Sequence, residues 1–382
     1  MKSYLCLADG RIFAGVSAGL AEETSGEIVF NTSMTGYQEI LTDPTYSGQI
    51  IVMTYPLIGN YGVNKEDRES PSIGARGLIV HDMCPLPSNY RTEQTLHRYL
   101  VDQGIVAISQ IDTRALTKHL RLHGSQQGLI SLDEDFDQLR IRAAALTPTP
   151  TWNLIRDIAV TTRRDLPENP DGPRVALLDF GGRDYLINAL HTLGCAITLL
   201  PPSCTLTEIM QCAPAGVLLS DGPGNPQDLP EICQTITGIL ARPLPLMGVG
   251  LGHQLLGLAL GGRVRPLKPG HRGANLPVRE LTRWVGIPEV EGSRAANLKP
   301  MNTLYITSQN HGFALEGPFS EDVVITHEHL NDKTIEGLAC PNRFAFSLQF
   351  VPTTQPGPHT THYLYEQFHA LLLQKGDFTA HA

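Results

Sequence analysis

At 382 residues the chain is long enough for about two domains of roughly 150 residues each, which excludes a single small module. With 41% hydrophobic residues it has a globular composition; with a net charge of −9 and 18% charged residues against a typical ~25%, it lacks the basic balance of a nucleic-acid-binding face. The uncharged stretch Pro243 to Gly262 carries six glycines, and no membrane-spanning helix is expected. Asp9 and Arg11 interrupt any signal-peptide core, and a cytoplasmic location follows as the expectation. The seven cysteines are scattered and never spaced CxxC, which argues against a disulfide framework and a zinc site. A charge-poor surface also points to cover by another protein.

In chain order, YLCLA and RIFAGV flank Asp9-Gly10, a hairpin turn signal, and EIVF, QIIVM and GLIV are further strand candidates. The spacing predicts a helix over Thr92–Gln103, with Leu96, Tyr99 and Leu100 on one face. A second is expected over Asp112–His123, with Leu116 and Leu120 inward and Gly124 as its stop. Residues 148–173, rich in Pro, Thr and charge, read as a linker with a short ordered centre between domains over 1–147 and 174–382. Beyond it VALLDF, CAITLLP, GVLLS and PLMGV alternate with helical segments. Near-continuous apolar strands in that rhythm imply an α/β domain with a doubly wound parallel sheet and a ligand crevice at the strands' carboxyl ends.

Three motifs fall where such a crevice is expected. Gly248-Val249-Gly250-Leu251-Gly252-His253-Gln254 follows a strand and opens a helix, the setting of a nucleophile elbow, or else of a glycine turn that packs strand on helix. Its tip is Gly250, which accepts a strained backbone but offers no attacking atom. Ser220 to Pro226, SDGPGNP, reads as a tight loop or as a turn aiming N–H groups at a developing oxyanion. Ser308 to Phe313, SQNHGF, reads equally as a crevice wall or a turn. His359 and His362 lack a third ligand nearby, and no metal is expected.

Taken together, DGPGNP, GxxxGHQ and SQNHGF in this order resemble the class I glutamine amidotransferases. FNTSMTGYQEILTDPTYSGQIIVMTYPLIGNYG and IDTRALTKHLRLHG, with LDFG and PGPH, extend the resemblance over nearly the whole chain to the small subunit of carbamoyl-phosphate synthase. The resemblance implies a strand-rich α/β N-terminal domain and a flavodoxin-like glutaminase domain. It further implies a Cys-His-Glu triad that hydrolyses glutamine, and a large subunit that uses ATP and Mg; no cofactor is expected on this chain. The glutamine-binding positions implied are Ser47, Gly222, Gly224, Leu251, Gln254, Asn310, Gly312 and Phe313.

Departures from the family pattern fall on the chemistry. The nucleophile position is Gly250; aligning the strand-end motif on Gln349-Phe350-Val351-Pro352-Thr353 puts the His position at Val351 and the Glu position at Thr353. Phe350 replaces a glycine and is expected to intrude on the glutamine space. None of the seven cysteines lies in an elbow-like setting. The reading that follows is a glutaminase-dead partner of a synthase large subunit, which would use free ammonia in pyrimidine or arginine synthesis. The alternatives are a glutamine-binding regulatory protein or an active glutaminase with rearranged chemistry.

Overall fold

A computed structural model describes residues 1–182, 184–284, 298–352 and 361–374. The chain divides into two compact units: residues 1–150 with 267–274, and residues 151–266 with 275–382.

The first unit is a closed barrel. Its strands are β1 (Lys2–Leu7), β2 (Ile12–Ser17), β3 (Thr24–Asn31), β4 (Gln49–Met53), β6 (Gly77–Ile79), β8 (Val106–Ser109) and β9 (Gln126–Ser131), in the order β1-β2-β8-β6-β4-β3-β9. A separate two-stranded ribbon joins β5 (Leu57–Ile58) to β7 (Asp82–Met83). The predicted hairpin forms: Gly10 takes a φ of 86°, its N–H donates to the Leu7 carbonyl at 2.8 Å, and Cys6 stands opposite Ile12. Closure depends on β1 pairing with β9, where Leu5 faces Ile130. The interior is filled by Leu5, Ile28, Ile50, Val52, Ile108 and Ile130, all fully buried. Four helices accompany these strands, α1 (Tyr37–Thr42), α2 (Leu96–Asp102), α3 (Thr113–His123) and α4 (Phe136–Ala144). The helix expected from Thr92 starts four residues later, because the Thr95 hydroxyl accepts the Arg98 N–H and sets the first turn there. Helix α3 matches its prediction, with Asp112 capping Ala115 N–H at 2.8 Å, Leu116 and Leu120 buried and Gly124 as its end.

The second unit starts inside the expected linker. Helix α5 (Thr151–Ile158) buries Leu154 and Ile155, and Thr151 donates to Asp228 at 2.6 Å. The two-residue strand β10 (Arg164–Asp165) pairs antiparallel with β12 (Ala196–Leu200). The segment is thus held to the second unit, since an amphipathic turn and a strand edge in it find partners there. Strands β11 (Arg174–Leu178), β12 (Ala196–Leu200), β13 (Gly216–Leu219), β14 (Leu246–Val249) and β19 (Ala345–Leu348) run parallel in the order β12-β11-β13-β14-β19. This is the flavodoxin-like order. Helices α6 (Asp184–Thr192), α7 (Leu206–Gln211) and α8 (Pro230–Leu240) connect consecutive strands from β11 through β14, α9 (Leu251–Ala259) follows β14, and α10 (Tyr363–Leu373) follows β19. Strands β15 (Arg263–Trp284), β16 (Leu298–Glu316), β17 (Val324–His329) and β18 (Ile335–Cys340) continue the sheet beyond β19, beginning with the antiparallel pair β18–β19. One core gathers Leu177, Val249, Phe346, Leu348 and Phe368; another gathers Ile155, Leu178, Leu219, Ile236 and Leu255. No helix among the described residues is long and apolar enough to cross a membrane.

His253 and His327 are among the imidazoles enclosed in this unit. Burial holds His253 on α9 down at about 3 and His327 on β17 down at about 4, so both are neutral in the folded chain. An unfolded histidine protonates near 6.5, so the unfolded state binds more protons below that pH. The stabilisation is complete above about pH 6.5 and is lost towards pH 4, at about 1.4 kcal/mol per pH unit for each group. Urea midpoints of the isolated chain should therefore fall steadily from pH 7 to pH 4.5. A flat midpoint over that range would show that these rings charge without cost.

Candidate active site

Three loops meet where β13, β14 and β19 end, and each has a local cause. After β14 the chain turns at Gly250 (φ 55°, ψ −112°), the residue that precedes α9. Residues with a Cβ rarely adopt this conformation, so glycine is the cheap solution. The turn is fixed by the Gly250 N–H, which donates to the Leu348 carbonyl at 2.9 Å, and by the Gly252 N–H, which donates to the Ser220 carbonyl at 3.1 Å. The shape expected of an elbow is therefore present, with a glycine at its tip.

The loop after β13 is anchored through Asp221. Its carbonyl accepts the Gly182 N–H at 2.9 Å and the Ser220 hydroxyl at 2.8 Å. Its carboxylate Oδ1 accepts two backbone N–H groups, Gly222 at 2.7 Å and Leu251 at 2.9 Å. Further along, Gly224 holds a φ of 103°, and Asn225 N–H donates to the Thr151 hydroxyl at 2.9 Å. A Cβ built on Gly250 would overlap both carboxylate oxygens and the carboxyl carbon of Asp221. The Asp221 side chain thus occupies the space a side chain at position 250 would need. Sequence reasoning missed this role; the signal was an acidic residue, Asp221, inside a loop whose N–H groups were expected to face an oxyanion.

The SQNHGF motif lies within strand β16 and is not a turn. Its register is marked by the bridge between Ser308 and Val351, whose N–H donates to the Ser308 carbonyl at 3.2 Å. The His311 ring sits 2.7 Å from the Phe313 carbonyl and 3.0 Å from the Gln309 side-chain oxygen. The Gln254 amide donates to the Phe313 carbonyl at 3.0 Å and to Gln349 Oε1 at 2.9 Å. Gln254, Phe313 and the strand-end Gln349 are therefore brought together, as are Gly222, Leu251 and Gly250 around Asp221. Asn310 and Gly312 lie on the same strand β16. Ser47, by contrast, belongs to the first unit, where it ends a 3-10 turn capped by Asp43.

Of the positions expected to match the triad, Gly250 is the elbow tip described above. Val351 is a half-buried aliphatic packed against the core, and Thr353 and His359 fall outside the described residues. Phe350 is fully buried, and its ring stands edge-on to His327 at 5.4 Å. Beyond the end of β19, Gln349 reaches α9 through Gln254, while Phe350 joins the core with Phe346 and Leu348. Burial pushes the thiols of Cys195 and Cys233 up to about 11 and those of Cys204 and Cys340 up to about 12, so none of these four is a thiolate at neutral pH.

Residues 176–371 match the family described as glutamine amidotransferase class-I, and residues 5–130 match carbamoyl-phosphate synthase small chain, CPSase domain. The flavodoxin-like sheet with its elbow is thus that of the class I glutamine amidotransferases. Over 97% of its length the chain is 43% identical to the carbamoyl phosphate synthase small chain of Syntrophotalea carbinolica, of which it covers 98%. It is also 43% identical to the pyrimidine-specific small chain of Halalkalibacterium halodurans, with 97% of each covered. A small chain from Listeria innocua matches at 40% over 100% of this chain and 99% of that one. The chain belongs to the carbamoyl-phosphate synthase small-chain family.

Proposed function

We propose that this chain is a glutaminase-dead small chain: it docks on an ATP-using carbamoyl-phosphate synthase large chain, in the cytoplasm, and leaves that chain to draw on free ammonia. The observation that carries the reading is the elbow. Its backbone is held in a strained turn that usually presents a nucleophile, yet its tip is Gly250 and the side-chain space there is filled by Asp221. Amide hydrolysis by this class of site is acyl transfer and needs an attacking atom, a base that takes its proton and donors for the oxyanion. The attacking atom is missing at Gly250, and an aliphatic stands at the base position, Val351.

The alternative of a glutamine-responsive regulator draws on the binding positions Ser47, Gly222, Gly224, Leu251, Gln254, Asn310, Gly312 and Phe313. Against it, the Gln254 donors are used by Phe313 and Gln349, and the Leu251 and Gly222 N–H groups by Asp221. ATP and Mg chemistry belongs to the large chain in this reading, and no metal is assigned here. Docking is tested by co-expressing the two chains with a tag on the large one. The small chain is expected to co-purify at one copy per large chain, and a small chain that elutes alone would sink the docking claim.

A further inference from the structure

The elbow of this chain is filled from within. The Asp221 Oδ1 accepts the N–H groups of Gly222 and Leu251 at 2.7 and 2.9 Å, two donors converging on one oxygen. That spacing is the one required for a developing oxyanion, 2.7–3.1 Å from each donor. One donor, Leu251, is the first residue of the nine-residue helix α9, whose N-terminus favours negative charge. Asp221 is buried, 5% exposed, and its backbone is pinned by Gly182 and Ser220. The same carboxylate lies where the Cβ of any residue at position 250 would fall.

We propose that Asp221 is an internal occupant of the oxyanion seat, its carboxylate standing where a substrate carbonyl oxygen would lie, and that Gly250 is the residue that makes room for it. Glycine at 250 and the acid at 221 then form one coupled unit. A side chain at 250 expels the carboxylate, and a carboxylate in the seat excludes an external carbonyl or carboxylate. With the acid removed, the seat is a site for a small monocarboxylate. Formate fits it best, being the carboxylate that Asp221→Ala deletes.

The test uses the full isolated chain, so it is independent of whether a large chain docks: failed docking leaves it standing, and failed rescue leaves the docking result standing. In chloride, Asp221→Ala should unfold about 5 °C below the wild type, since the buried Leu251 N–H and the part-buried Gly222 N–H lose their acceptor. Replacing chloride by formate at equal ionic strength should recover at least half of that loss with a saturable dependence, and should leave the wild type unmoved. A variant that does not fold in chloride should instead refold in higher yield in formate. As a second measurement, Gly250→Ala should lower the wild-type midpoint at least twice as far as it lowers that of Asp221→Ala, because the clash with the carboxylate is gone. Formate that changes neither midpoint nor refolding yield, or costs at 250 and 221 that simply add, would overturn the proposal.

Discussion

Gly250→Cys alone should leave ammonia release from glutamine at the level of a heat-killed control. Three effects act together. The new Cβ overlaps the Asp221 carboxylate, so the substitution either unseats Asp221 or distorts the elbow. The backbone there (φ 55°, ψ −112°) penalises any side chain, so the variant should also unfold at lower denaturant than the parent. The thiol itself, with an ordinary value near 8.5, is only a few per cent thiolate at neutral pH, and Val351 can neither take its proton nor return it to the leaving ammonia. Losing a catalytic unit of this kind costs on the order of a million-fold in turnover, with only oxyanion and binding effects left. Activity should therefore require Val351→His and Thr353→Glu beside Gly250→Cys, together with a shorter residue at 221 to empty the seat. Turnover near one per second from the single change would show that the base lies elsewhere and that Asp221 yields without cost.

Much of this could be foreseen from local patterning. The hairpin at Asp9-Gly10, helix α3 with its Asp112 cap, and the strand-helix alternation from Arg174 to α9 each carry their signal within a short window. Barrel closure carries none, because it rests on Leu5 meeting Ile130 across the whole first unit. The segment read as a linker with a short ordered centre holds helix α5; its attachment carries no local signal, because Thr151 opens the helix and bonds Asp228 far along the chain. The elbow was legible from its glycines and the absence of its nucleophile from the letter at 250. What fills the vacancy was not, since the Asp221 carboxylate and the Leu251 N–H lie thirty residues apart in sequence and converge only through the parallel pairing of β13 with β14. Of the two readings of SQNHGF, crevice wall and turn, the turn fails for a related reason: glycine and asparagine suggest one, but β16 runs straight through them.

The second large effect concerns nitrogen supply. If the large chain carries the ATP chemistry, loss of the glutaminase removes the ammonia source and leaves the later steps intact. A reconstituted complex given bicarbonate, ATP and ammonium should then make carbamoyl phosphate, while glutamine at the same concentration gives none. Free NH3 is the reactive species and ammonium is its reservoir, so at fixed total ammonium the rate should rise with pH, up to tenfold per unit while NH3 is limiting. The small chain should add something measurable of its own, either a higher unfolding midpoint for the large chain or a lower ammonium requirement, because a strained elbow and an intact barrel are costly to keep without a partner. Adding Gly250→Cys to this complex should change neither requirement. Carbamoyl phosphate made from glutamine without ammonium would require an attacking group that Gly250, Val351 and the four raised thiols do not supply, and the dead-partner reading would fall with it.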